Sequence, residues 1–139
     1  MRVYLDTSAL NRIFDDQTQP RVFLEASAML LVFALIDASK ISLVSSEVSR
    51  YENANNPYRD RREFVAEVLK VATLTIVVDE DILRRSQKIE PLTIKGIDAL
   101  HLSCAERADC KYFITCDDKL IRKYRGSMKV TTPTGFITE

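Results

Sequence analysis

The chain is poor in the residues that loosen a fold. Of 139 residues, only three are glycine and four are proline, which leaves little material for a long flexible linker. Tryptophan is absent and histidine occurs once, as His101, so any histidine-dependent triad has to use that residue. Cys104, Cys110 and Cys116 are the only cysteines, spaced by six with no C-x-x-C pair. An odd count at that spacing argues against both a disulfide framework and a structural zinc site. Neither sign of charge dominates, because 20 Lys and Arg balance 20 Asp and Glu. A nucleic-acid partner would therefore need a local basic patch. The longest nearly apolar run, Ala28 to Ile36, falls short of the roughly 20 residues that span a bilayer. It reads as a buried core helix, and no membrane partner is expected. Met1-Arg2 runs straight into the strand-like "VYL", leaving no room for a signal peptide. A cytoplasmic chain with reduced thiols is expected.

What is present suits a single domain over residues 1–139 with one hydrophobic core, at 46% apolar residues. "RVYL", "ISLVS", "LTIVV", "KYFIT" and "MKVTTP" read as short strands or extended segments. Helices are expected from "TSALNRIF", from Arg21 to Ser39 behind Pro20, and from the segment capped by Ser45 or Ser46 and stopped at "NANNP". Further helices are expected in "YRDRREFVAEVLKVAT", "DEDILRRSQKI", "IDALHLSCAERAD" and "DDKLIRKYR", with loops at "DDQTQP" and "PLTIKG". Strands alternating with helices predict an α/β domain, a mainly parallel sheet with helices on both faces. Ligands of such sheets bind beyond the carboxyl ends of the strands.

Acids stand at those ends. Asp6 follows the first strand, Glu47 and Glu52 follow "ISLVS", and Asp117 and Asp118 follow "KYFITC". Each alone is explained by helix capping. Asp98 is harder to dismiss. At ~100° per residue, Ile97, Leu100, His101, Cys104 and Ala108 form one helix face, and Asp98 lies at its edge. A first-turn acid suits the helix dipole, but that does not explain a place beside the core. Converging carboxylates would repel one another, and a hard divalent cation, Mg²⁺ or Mn²⁺, would resolve the conflict. The residues thus suggest metal-assisted hydrolysis by Asp6, one glutamate, Asp98 and Asp117.

"VYLDTSALNR", "SSEVSRYE", "GIDALHLSCAERADCKYFITCDDKL" and "VTTPTGFI" resemble, in order, the PIN-domain family, particularly the VapC-type toxin ribonucleases of prokaryotes. The resemblance implies a PIN-like three-layer α/β/α domain and an acidic pocket binding Mg²⁺ or Mn²⁺. It also implies endonucleolytic cleavage of RNA, a cognate antitoxin and frequent homodimers. Carried over by position, it implies metal-holding roles for Asp6, Asp98 and Asp117, and supporting roles for Ser8, Thr115 and Asp118. It favours Glu52 over Glu47, since in similar proteins the glutamate follows an aliphatic residue by four, as Glu52 follows Val48. Helix geometry agrees. Glu47 and Glu52 point ~140° apart, whereas Val48 and Glu52 share a face. Glu47 is expected in water, paired with Arg50.

His101 is expected to be a packed, hydrogen-bonded core residue; a Ser8–His101 hydrolase pair lacks a nucleophile-elbow sequence. Cys116 is read as a small hydrophobe. Lys119 to Lys129 carries five cations and no acid, and Arg122, Lys123 and Arg125 are candidates for the RNA backbone, with Tyr58 or Tyr124 as stacking platforms. Two other functions compete with a ribonuclease. One is a non-catalytic RNA- or protein-binding module on the same fold. The other is a phosphotransferase with Asp6 as nucleophile, which would want a second aspartate where Ser8 stands.

Overall fold

The structure, a computed structural model, describes residues 1–92 and 94–139, and the Leu92 side chain lies outside the description. Five strands form one sheet: β1 (Arg2–Leu5), β2 (Ser42–Ser46), β3 (Leu74–Ile76), β4 (Tyr112–Ile114) and β5 (Lys129–Thr131). Their order is β3-β2-β1-β4-β5, and all four pairings are parallel. From β1 the chain steps outward through β2 to β3, then returns to place β4 on the other side of β1. The order therefore reverses between β1 and β4, which is where a crevice opens in sheets of this kind.

Strand alternation divides the core in two. Tyr4, Val44 and Phe113 point to one face, where they meet Ile82 and Ile89 of α5 (Glu80–Ile89) and Leu102 and Ala105 of α6 (Gly96–Arg107). Tyr4 stacks on Phe113 with ring centroids 5.2 Å apart. Val3, Leu5, Leu43 and Ile114 point to the other face. There they meet Met29, Val32 and Ile36 of α2 (Pro20–Asp37), Val65 and Leu69 of α4 (Arg59–Lys70), and Phe136 of α8 (Pro133–Ile137). The three-layer α/β/α arrangement follows. The remaining helices are α1 (Thr7–Asn11), α3 (Glu47–Ala54) and α7 (Asp118–Lys123).

Several local expectations need correction. The run Ala28 to Ile36 is not wholly buried. Ala28, Met29, Val32 and Ile36 are buried, while Leu30 and Leu31 are 59% and 53% exposed, because a helix lying on a sheet buries one stripe only. α6 is buried on more than the expected face, with Ala99, Leu102, Ser103 and Ala105 also inside, since it packs against α5 as well as the sheet. "TSALNRIF" is a short α-helix passing into a 3-10 turn at Arg12–Phe14. The expected loop "PLTIKG" opens in a 3-10 turn, Glu90–Leu92, and its Thr93 lies outside the described residues. Helix α8 was unexpected, although Thr132 as cap and Pro133 in the first turn signal it. The shortage of glycine also shows: Ser39 and Asp109 take positive φ, 58° and 54°, where α2 and α6 end.

Candidate functional site

The site lies where β1 and β4 end side by side. Asp6 N bonds Ile114 O at 3.2 Å, continuing the ladder one step past the strand. Asp6 then caps α1 and is 5% exposed. Its Oδ1 accepts from Ser8 Oγ (2.7 Å) and Ala9 N (3.0 Å), and its Oδ2 accepts from Thr115 Oγ1 (2.5 Å). Burial raises the Asp6 pKa, and these three donors offset part of the rise. Ser8 in turn accepts from Cys116 N, and Thr115 accepts from Asp117 N. Two hydroxyls thus tie the β4 exit to the β1 acid. Cys116 is only partly buried and packs against the Ile114 side of the core, as a small hydrophobe would.

Glu52 and Glu47 part as helix geometry requires. Ser46 is the α3 cap. Val48 is buried, and one turn on Glu52 turns inward, its Oε1 taking hydrogen bonds from Thr7 Oγ1 and from His101 Nε2. Burial raises the Glu52 pKa, but the His101 and Thr7 bonds outweigh it and the net shift is downward. Glu47 is exposed, and its partner is Val78 N at 2.7 Å rather than Arg50. The unpaired amide just past β3 is the stronger attraction, because it has no ladder partner of its own.

Asp98, in the first turn of α6, makes no ion pair among the described residues. Burial, then the charge of Asp6, and further those of Asp117 and Glu52 raise its pKa to about 6 against the opposing effect of His101. Asp98 therefore lies within electrostatic reach of the other three acids. Asp98 and Asp117 line one pocket with Ile94, Leu120 and the lysines Lys95, Lys119 and Lys123. Asp117 caps α7 through Lys119 N at 2.9 Å. Among the described residues, no three His, Cys, Asp or Glu side chains converge closely enough to enclose an ion. The four acids share a neighbourhood rather than one point.

Other candidates fall elsewhere. Asp118 does not turn to the acids; Arg21 of α2 grips it at 2.6 and 2.8 Å. Arg122 and Arg125 are exposed, and Arg125 folds back on the carbonyls of Arg122 and Tyr124. Tyr124 cannot be a stacking platform, because it is 7% exposed with its hydroxyl donated to Glu106. Tyr58 is exposed, with the Arg61 guanidinium 5.3 Å from its ring centre. His101 is a packed, hydrogen-bonded core residue, 1% exposed, whose partners are Glu52 and Tyr4, while the Ser8 hydroxyl bonds Asp6. Sequence reasoning missed Lys95 and Lys119 in the pocket. The lysine on each side of an acid at a helix start was the available signal.

The chain matches the family model described as PIN domain over residues 3–126. No curated protein matches it. Solved structures that share the fold include two of note. One is VapBC2 from Rickettsia felis bound to a DNA fragment from their promoter, with TM-score 0.60, 11% identity, and 94% of this chain and 97% of that chain covered. The other is PAE2754 from Pyrobaculum aerophilum, with TM-score 0.58, 15% identity, and 99% and 88% covered. At such identities the likeness carries the fold alone.

Proposed function

We propose, since the chain belongs to the PIN domain family, that it is a metal-dependent endoribonuclease, the VapC-type toxin of a toxin–antitoxin pair. PIN domains are nucleases, and the finer reading rests chiefly on one observation. Four carboxylates gather at the β1–β4 reversal with no lysine or arginine ion pair among the described residues. Their chemistry fits Mg²⁺ or Mn²⁺, which take hard oxygen ligands. Oxygen capacity is left over: Glu52 Oε2, Asp117 Oδ2 and both Asp98 oxygens have no hydrogen-bond donor among the described residues. Asp6, Glu52, Asp98 and Asp117 would hold the ion, in part through its own waters, since no three of them stand close enough among the described residues to enclose it directly. When bound, it would activate a water and stabilise charge on the phosphodiester.

The chain's own residues have separable tasks in this reading. Ser8 and Thr115 hold Asp6 in one rotamer, so its remaining lone pair keeps a constant direction. Thr7 and His101 do the same for Glu52. Lys95, Lys119 and Lys123, which line the pocket with Asp98 and Asp117, form no ion pair among the described residues and would attract backbone phosphates. Arg122 and Tyr58 are exposed and would be free to meet RNA. The apolar residues Phe23, Leu24, Leu30 and Leu31, all more than half exposed on α2, give an antitoxin or a second copy a surface to cover. No helix among the described residues is long and apolar enough to cross a membrane, and three free cysteines suit the reducing cytoplasm.

Cleavage of single-stranded and structured RNA by the purified chain tests the proposal, with Mg²⁺, Mn²⁺ or chelator present. Metal-dependent cleavage is expected, and its loss in Asp6→Asn and Asp98→Asn. Equal background from all three proteins would leave a non-catalytic binding module.

A further inference from the structure

The buried groups behind Glu52 form a chain that crosses three elements. Ser46 Oγ and Ser49 Oγ lie 2.7 and 3.0 Å from the Tyr4 hydroxyl. That hydroxyl lies 2.6 Å from His101 Nδ1, and His101 Nε2 reaches Glu52 Oε1. Every hydroxyl and the ring are within 3% of full burial. The chain starts at the cap of α3, passes through β1 and α6, and returns to α3 one and a half turns later.

The proton inventory gives this chain a direction. An ionised Glu52 only accepts, so Nε2 must donate. Nδ1 is then free to accept the Tyr4 proton, and the Tyr4 oxygen accepts from the serine hydroxyls. Every member is satisfied with a neutral ring. Thr7 also donates to Oε1. Both donors therefore load the same Glu52 oxygen, and Oε2 is left without a partner among the described residues.

We propose that His101 is a positioning residue for Glu52, held in place by Tyr4, and that it fixes which carboxylate oxygen is offered to the acidic crevice. This rests on the reading of Glu52 as a metal-holding acid. Tyr4 lies in β1, and Asp6 follows two residues on, at the strand's exit. One strand thus supplies the first acid directly and orients the second through His101. At 1% exposure the ring has no route to exchange protons with a substrate, so it acts through Glu52. Losses of such outer partners cost 10- to 100-fold in metal affinity as a rule.

The test is Mn²⁺ titration of the full chain by calorimetry, alongside urea unfolding in chelator, for wild type, Glu52→Gln, His101→Leu, His101→Gln and Tyr4→Phe. Glu52→Gln and His101→Leu should each weaken Mn²⁺ binding about 10- to 100-fold. His101→Gln, which keeps an N–H at the reach of Nε2, should recover part of the loss, and Tyr4→Phe should fall between it and wild type. Adding His101→Leu to Glu52→Gln should cost no further affinity, because the two act as a unit. Wild-type affinity in His101→Leu despite a lowered urea midpoint would overturn the proposal, as would an undiminished effect in the Glu52→Gln background. If His101→Leu fails to fold, wild-type affinity in both Tyr4→Phe and His101→Gln overturns it equally. Unchanged affinity in Glu52→Gln itself would instead remove the metal role of Glu52, and this inference with it.

Discussion

Two clusters of acids flank the β1 exit, and they are neutralised in opposite ways. On the α2 side, Glu25 is 2% exposed and takes Arg12 on Oε1 at 2.7 and 3.0 Å and Arg21 on Oε2 at 3.4 Å. Arg21 also holds Asp118, while Arg12 and Arg61 share Asp15. Three carboxylates meet three guanidinium groups. On the α6 side, Asp6, Glu52 and Asp117 are met by hydroxyls, backbone amides and one imidazole, and Asp98 by no donor among the described residues. A carboxylate that only secures a fold is matched by a planar guanidinium fork. One left with spare lone pairs keeps a place for a cation from solution. The contrast separates the paired acids from those proposed to hold a metal better than burial does, since both clusters contain a nearly buried member.

Substitutions can break this contrast from either side. The largest effect is expected from Asp6→Asn, which should lower metal-dependent RNA cleavage on the order of 1000-fold or more, the scale of losing a group that stabilises developing charge. Urea unfolding of the same variant in chelator should show no comparable loss. Glu25→Ala should do the reverse. It takes from Arg12 its buried partner and leaves only Asp15, and should cost about 2 kcal/mol of stability by urea unfolding, with Mn²⁺ affinity unchanged.

A smaller effect distinguishes the clusters by pH. Asp98 holds its proton up to about 6 in the folded chain, against 3.8 for the ordinary group. The folded state thus binds more protons than the unfolded one between these values, and metal-free stability falls as pH rises through that window. Asp98→Asn removes the penalty. At pH 7 in chelator the variant should be more stable than wild type by about 1 kcal/mol, allowing for solvent screening, and at pH 4 the two should coincide. Saturating Mg²⁺ should reverse the order, because wild type alone gains the full binding energy. Melting curves at both pH values check this. The smallest effect belongs to Asp118→Asn. It breaks an exposed pair with Arg21, so Mn²⁺ affinity and cleavage should stay at wild-type level.

The parts of the site that were legible beforehand share a physical basis. Asp6 and Asp117 stood out because parallel α/β sheets put ligands past their strand ends, and the strands announced themselves as β-branched and apolar runs, whereas Asp98 stood out as an acid at the edge of an apolar helix face. Glu52 was separable from Glu47 because helix periodicity is local. What stayed hidden depends on contacts across the chain. Asp118 reads like its neighbour Asp117 until Arg21, 97 residues away, claims it. Tyr124 reads as an exposed aromatic in a basic run until Glu106 binds its hydroxyl. The Glu47–Val78 bond needs the end of β3 to lie beside α3, and nothing in "SSEVSRYE" says so.

His101 shows where the two kinds of information divide. Local pattern alone settled that it is buried, since it lies among apolar residues at helical spacing, and it settled the alternation that makes the sheet parallel. Only tertiary structure decided that its ring bridges Tyr4 and Glu52, residues 97 and 49 positions away. Burial follows from side-chain type and periodicity, which are carried within a few residues. A partner for a buried polar atom depends on which distant elements the strand order brings together, and no local pattern holds that choice.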